Sequence, residues 1–256
     1  MFRYLTKEVV DQVCWIRFNR PHQLNAMNRD FMDEIIEAFS QANADDSVRV
    51  VVVTGEGRAF MAGADIKEYA TQTDEQFRAF QEKGWQLYRT AEQSTKPYLA
   101  MVNGFALGGG FEIALACDMI FASETAVFGL PEVHIGLVPG GGGTQKLIHR
   151  VGLSRAMEIL MLGGKHTAAQ MHQWGVVNHV TSAENLQAYV GEIAQKLTRR
   201  MPEALGKLKY LLRQSTNQNL IQAGMEEEAK TLSMLFYRPD VQNKLKEFMN
   251  KNEAKN

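Results

Sequence analysis

Between an apolar run at residues 98–102 and another at 119–122, the chain reads N-G-F-A-L-G-G-G-F-E-I-A-L-A-C-D over 103–118. A strand, a glycine-rich loop, an apolar helix and a second strand follow one another there, which calls for an α/β arrangement with crossover connections. Gly108, Gly109 and Gly110 open the helix, where backbone N–H groups have no intrahelical partner and no Cβ keeps a ligand oxygen away. Glu112 stands in the first turn. The stretch predicts an anion site with an acid beside it, a setting suited to a developing oxyanion.

The same alternation runs through most of the chain. Residues 48–54 form a near-continuous valine run, the kind of strand buried on both faces of a parallel sheet. Residues 4–10 and 13–18 pattern as a hairpin turning at Asp11 and Gln12. Asn28 is placed to cap a helix whose Phe31, Ile35 and Phe39 recur at i, i+4, with Met32 and Ile36 alongside. Another helix, from Glu75 to about Glu92, puts Phe77, Phe80, Leu87 and Ala91 on its apolar side. Beyond Gly140 the pattern is helical, at 143–151, 154–162, 167–174, 183–200, 202–213 and 217–236, with one strand at 176–180. The expectation is a core over 1–195 and a C-terminal helical region, 196–256, packed on that core or on a neighbouring subunit. The closing N-K-N-E-A-K-N reads as a solvated end.

Composition narrows the partners. Lys plus Arg number 28 against 29 Asp plus Glu, a formal charge of −1, so nothing global attracts nucleic acid or an anionic membrane. An anionic ligand must be held by local groups. No run of about 18 apolar residues occurs and the N-terminal residues lack a leader's apolar segment, which predicts a cytoplasmic protein without a membrane span. Cys14 and Cys117 each lie in an apolar segment and read as reduced core thiols.

Several chemistries fail on spacing. Neither glycine run is followed by Lys-Ser/Thr, as a phosphate loop requires, and no G-x-G-x-x-G follows an early strand. There is no G-x-S-x-G elbow, and Ser154 reads as a helix cap. The six histidines show no H-x-x-x-H or H-E-x-x-H pairing, so no metal is expected. Carboxylates remain. Glu112 lies in F-E-I-A-L-A and Glu132 in F-G-L-P-E-V-H-I-G-L. Apolar surroundings raise a carboxyl pKa toward the range useful for proton transfer, and two such groups can divide acid and base roles.

Four separated motifs carry a resemblance: N-R-P-H-Q-L-N-A-M-N over 19–28, A-F-M-A-G-A-D-I-K-E over 59–68, G-F-A-L-G-G-G-F-E over 104–112, and F-G-L-P-E-V-H-I-G-L-V-P-G-G-G-G-T-Q over 128–145. Together, and in this order, they resemble the enoyl-CoA hydratase/isomerase, or crotonase, family across essentially the whole chain. The resemblance implies repeated β-β-α units followed by a helical trimerisation region. It also implies that the backbone N–H groups of Ala64 and Gly109 hold the thioester oxygen of an acyl-CoA, and that Glu112 acts as base toward water while Glu132 acts as acid toward the α-carbon. Ala62, Asp65 and Ile66 match the loop that meets the adenine and pantetheine of coenzyme A.

Phe111 departs from the family's small residue or cysteine, and Lys146 from its usual arginine. Lys251, in a loosely matching tail, reads as a solvated lysine. With both glutamates present, the expected activity is hydration of a trans-2-enoyl-CoA to a 3-hydroxyacyl-CoA by a homotrimer or dimer of trimers. No cofactor is expected beyond the coenzyme A of the substrate. A Δ3-Δ2-enoyl-CoA isomerase and a non-catalytic binding protein of the same fold are the alternatives.

Overall fold

The computed structural model describes residues 2–214 and 218–253. The expectations for Asn217, for the Lys251 side chain and for the final residues fall outside the described part. Strands β1 (Leu5–Val10) and β2 (Val13–Phe18) form the expected antiparallel hairpin. Asp11 and Gln12 both have positive φ, 49° and 68°, a turn whose twist matches that of the strands it joins. Helix α1 (Arg29–Ala44) is capped by Asn28, whose side chain accepts the Phe31 N–H at 2.9 Å, worth about 1 kcal/mol.

Three similar units follow. The first is β3 (Val50–Gly55), β4 (Ala59–Met61), the short α2 (Ile66–Tyr69) and α3 (Asp74–Glu92). The second is β5 (Tyr98–Val102), β6 (Phe105–Leu107) and α4 (Gly109–Ala116). The third is β7 (Met119–Ser123), β8 (Val127–Gly129), a 3-10 turn at Glu132–Ile135 and α5 (Gly143–Leu162). After these come β9 (His166–Thr167), α6 (Ala168–Gln173), β10 (His179–Thr181), α7 (Ala183–Thr198), α8 (Pro202–Gln214), α9 (Gln218–Phe236) and α10 (Pro239–Glu253). The first strand of each unit enters a large sheet ordered β1-β2-β3-β5-β7-β10. The second enters a small sheet ordered β4-β6-β8-β9. Parallel pairing of β4 with β6 and of β6 with β8 sets three C-terminal strand ends along one edge.

The valine strand is buried on both faces, as its sequence predicts. Val51 and Val53 point into the main core with Ile16, Phe31, Ile35 and Phe39. Val50 and Val52 point the other way, onto Leu186, Val190 and Ala194 of α7. Each fully buried valine contributes about 1.5–3 kcal/mol relative to exposure.

The last helices divide their roles. Helix α9 returns to the core: Phe236 stacks on Phe77 of α3 with ring centroids 3.9 Å apart, and Leu232 is buried. Helix α10, inside the expected C-terminal helical region but not read as a separate element, packs against α2 and the Glu132–Ile135 turn and buries Val241 and Leu245. Helix α8 instead leaves Leu208, Tyr210 and Leu211 more than half exposed.

Two corrections concern short elements. The strand expected at 176–180 forms at His179–Thr181, because Asn178 holds Ile120 through both its backbone N–H and its side chain. The segments read as helices at 143–151 and 154–162 are parts of α5 separated by a kink at Gly152 (φ 74°, ψ 166°).

Candidate active site

Neither the valine strand nor the 98–102 strand leads directly into a site loop: a second short strand follows each first. The small sheet's edge, not the large sheet's, delivers the residues: β4 leads to Ala64, β6 to Gly109 and Glu112, and β8 to Glu132. The 19–28 motif fixes the first loop. Buried Asn25 donates to the Glu56 and Ala59 carbonyls at 3.0 and 2.7 Å, and Arg20 pairs with Asp65 at 3.3 Å.

Met27 bridges to Ala64, with the Met27 N–H donating to Gly63 O and the Asp65 N–H to Met27 O, each at 2.8 Å. A trans peptide points its C=O and N–H in opposite directions. Since Gly63 O faces Met27, the Ala64 N–H faces away from it, toward the cavity. Gly108 O accepts the Glu112 N–H at 3.0 Å along α4, so the Gly109 N–H of the adjoining peptide projects off the helix start. Among the described residues neither N–H has an intramolecular acceptor. The glycines permit this approach: Gly108 has φ 51°, and a Cβ there would lie 2.9 Å from Glu132 Oε1.

The two carboxylates differ in their surroundings. Glu112, 3 % exposed, has Oε1 accepting the Gly141 and Gly143 N–H groups at 2.7 and 2.8 Å. Tyr88 OH stands 3.5 Å from its Oε2. Burial raises the Glu112 carboxyl, while those N–H groups and Lys146 pull back toward the charged form. Glu132 Oε2 is buried and has no hydrogen-bond partner among the described residues. Burial, and then the charge of Glu112, push Glu132 well above the usual carboxylate range. Hydrogen bonds to the ionised form favour it, and desolvation without them favours the acid. Both carboxyls are raised, Glu132 with no bond to its buried Oε2 and Glu112 with two backbone N–H groups that counter the effect of burial.

Ala62, Ala64, Ile66, Gly109, Glu112 and Glu132 all line one cavity of about 400 Å³, together with Met27, Tyr88, Leu232 and Phe248. Asp65 alone among the expected residues stands outside that lining, its carboxylate turned to Arg20. The departures fall in support positions. Phe111 is buried against Phe128 with centroids 5.3 Å apart, and Lys146 bonds Glu92 at 2.7 Å and Gly141 O at 2.9 Å. Sequence reasoning did not find Tyr88, Leu232 or Phe248: Tyr88 and Leu232 arrive from helices that read as ordinary amphipathic segments, and Phe248 from α10. Among the described residues no cluster of three or more His, Cys, Asp or Glu is arranged to hold a metal ion, and no helix is long and apolar enough to cross a membrane.

A β-β-α repeat thus brings two outward N–H groups and two unlike carboxylates to one edge of the small sheet, an arrangement suited to an oxyanion and to proton transfer beside it. The enoyl-CoA hydratase/isomerase family model matches residues 8–255, and the chain belongs to that family. It is 37 % identical to the 2,3-dehydroadipyl-CoA hydratase of Escherichia coli (strain K12), over 94 % of this chain and 93 % of that one. It is 35 % identical to the short-chain-enoyl-CoA hydratase of Clostridium acetobutylicum, over 94 % and 92 %. An enoyl-CoA hydratase structure from Mycobacterium avium subsp. paratuberculosis K-10 superposes with a TM-score of 0.88 at 31 % identity, covering 96 % of this chain and 99 % of that one. The crotonase fold implied by the sequence motifs is the fold observed.

Proposed function

We propose that the protein hydrates a trans-2-enoyl-CoA, giving a 3-hydroxyacyl-CoA in fatty-acid or related acyl-CoA degradation. One observation carries the reading: two carboxyl groups in unlike surroundings, Glu112 accepting two backbone N–H groups and Glu132 with an unbonded buried oxygen, face a single cavity beside the unpaired N–H groups of Ala64 and Gly109. In this reading the thioester oxygen accepts both N–H groups, which stabilise it as it gains charge. Removing one donor of such a pair elsewhere costs about 10²–10³ in rate.

Glu112, acting in its ionised form, takes a proton from water as the water oxygen bonds to the β-carbon. The C=C electrons move toward the thioester, and the α-carbon takes the proton of Glu132. Net addition is one water; a proton shift from Glu112 to Glu132 resets the pair. No step calls for a metal or a redox group, coenzyme A being part of the substrate. Ala62 and Ile66 would meet coenzyme A from the cavity wall, and Asp65 through its backbone.

The proposal extends to assembly. Exposed Leu208, Tyr210 and Leu211 on α8, with Met157 and Met161 on α5, form apolar surface of the kind that marks an interface, which supports a homotrimer or dimer of trimers built through the C-terminal helical region. Two buried unpaired cysteines support a cytoplasmic setting. A series of trans-2-enoyl-CoA thioesters of increasing length, followed by loss of the conjugated-thioester absorbance, tests the activity. Turnover of at least one supports it. Failure with all, or migration of a 3-enoyl double bond without hydration, refutes it.

A further inference from the structure

The turn at 140–143 consists of four glycines, the residues with the widest backbone freedom. Its shape must therefore be imposed from outside. Along 141–144 the N–H groups alternate in direction. Gly141 and Gly143 donate to Glu112 Oε1 at 2.7 and 2.8 Å. Gly142 donates to Glu228 Oε1 at 2.8 Å and Thr144 to Glu228 Oε2 at 3.0 Å, with the Thr144 hydroxyl also donating to Oε2. Two carboxylates from distant parts of the chain thus grip one short backbone segment through interleaved N–H groups.

Glu228 comes from α9, is 6 % exposed, and is not part of the cavity lining. Burying a carboxylate costs several kcal/mol unless its oxygens are bonded, and here three donors meet it. The peptide between Gly141 and Gly142 is pinned at both ends, its C=O by Lys146 Nζ at 2.9 Å and its N–H by Glu228. Because a peptide unit is rigid, holding that unit fixes where its neighbours aim the Gly141 and Gly143 N–H groups.

We infer that Glu228 is a positioning residue for Glu112: it shapes the glycine turn so that two N–H groups converge on Glu112 Oε1 and hold that carboxylate oriented. The inference rests on the hydration reading for its kinetic consequence only. It also explains how the C-terminal helices bear on the site, since α9 carries a group on which the turn depends.

The test is Glu228→Gln, which keeps the side chain's size but turns one acceptor into an NH₂ facing an N–H donor. Site-resolved amide exchange should show faster exchange at Gly141 and Gly143 as well as at Gly142 and Thr144. Misplacing a reacting group by about 1 Å can cost up to about 10²-fold, so kcat on the best enoyl-CoA should fall about tenfold or more, with KM within about twofold. Loss of protection confined to Gly142 and Thr144, or an unchanged kcat in a folded variant, overturns the inference. Should Glu228→Gln fail to fold, Thr144→Val, which removes the hydroxyl's bond to Glu228 and the one it accepts from Gln145 Nε2, decides it beside a Gln145→Ala control that removes the second alone: a several-fold loss of kcat beyond the control supports positioning and a kcat equal to the control's overturns it. If the unaltered protein turns over no enoyl-CoA, the hydration reading fails, and the exchange result still decides whether Glu228 positions Glu112.

Discussion

Glu112→Gln separates chemistry from architecture. A glutamine carbonyl can still accept the Gly141 and Gly143 N–H groups that reach Oε1 at 2.7 and 2.8 Å. Two charge-assisted bonds become neutral ones, each weaker by about 1 kcal/mol. The variant no longer buries a charge in a residue 3 % exposed, which offsets that loss. Its thermal midpoint should stay within a few degrees of the parent. The base is gone, however, and general-base catalysis contributes about 10²–10⁴-fold, or about 2.7–5.4 kcal/mol at 1.36 kcal/mol per tenfold.

Steady-state hydration, followed by absorbance at saturating thioester, should show kcat lowered by that factor with little change in KM. The pH profile gives the sign. Glu112 works ionised, so activity falls as pH drops through its pKa, and burial places that limb above the usual carboxylate range. The limb should be missing in the variant. A folded Glu112→Gln protein with kcat within tenfold of the parent would refute the two-carboxylate mechanism.

Glu132 works protonated, so activity should fall as pH rises through its strongly raised pKa. Glu132→Gln should remove that alkaline limb and lower kcat about 10²-fold or more; a limb that persists assigns it to another group. In Gly110→Ala the new Cβ would lie 2.1 Å from Met61 O, forcing α4 away from β4. Such overpacking costs about 1–3 kcal/mol, a fall in Tm of about 2–12 °C at this size, and an unchanged melting curve would contradict the close approach. Replacing Leu208 and Leu211 by Glu places charge on the exposed face of α8 and should yield a smaller species by light scattering, whereas an unchanged mass moves the interface elsewhere.

The legible part of this protein is the part whose signal repeats. Six consecutive buried positions in β3 and the i, i+4 stripe of α1 carry periodicity through several turns or pleats. Strands β4, β6 and β8 have three residues each, too few to show alternation, yet they place every site loop. Glu112 and Glu132 stood out because each interrupts an apolar run. Glu228 did not, since it closes the triplet Glu226-Glu227-Glu228, where solvation is the default. Only the packing of α9 on α5 distinguishes its buried third member from the other two. Helix α10, with its K-L-K-E-F-M-N-K pattern, hides behind its lysines in the same way, and Tyr88 looks like one more core aromatic until α3 meets the glycine turn.

The central claim is that water adds across the double bond of an intact thioester. Incubating the protein with a trans-2-enoyl-CoA in ¹⁸O-enriched water and analysing the product by mass spectrometry tests it most directly. The account predicts a 3-hydroxyacyl-CoA with one heavy oxygen on the β-carbon, the thioester unbroken, and no such product from the Glu112→Gln protein. Release of free coenzyme A, a shifted double bond without label, or equal labelling by Glu112→Gln would contradict it.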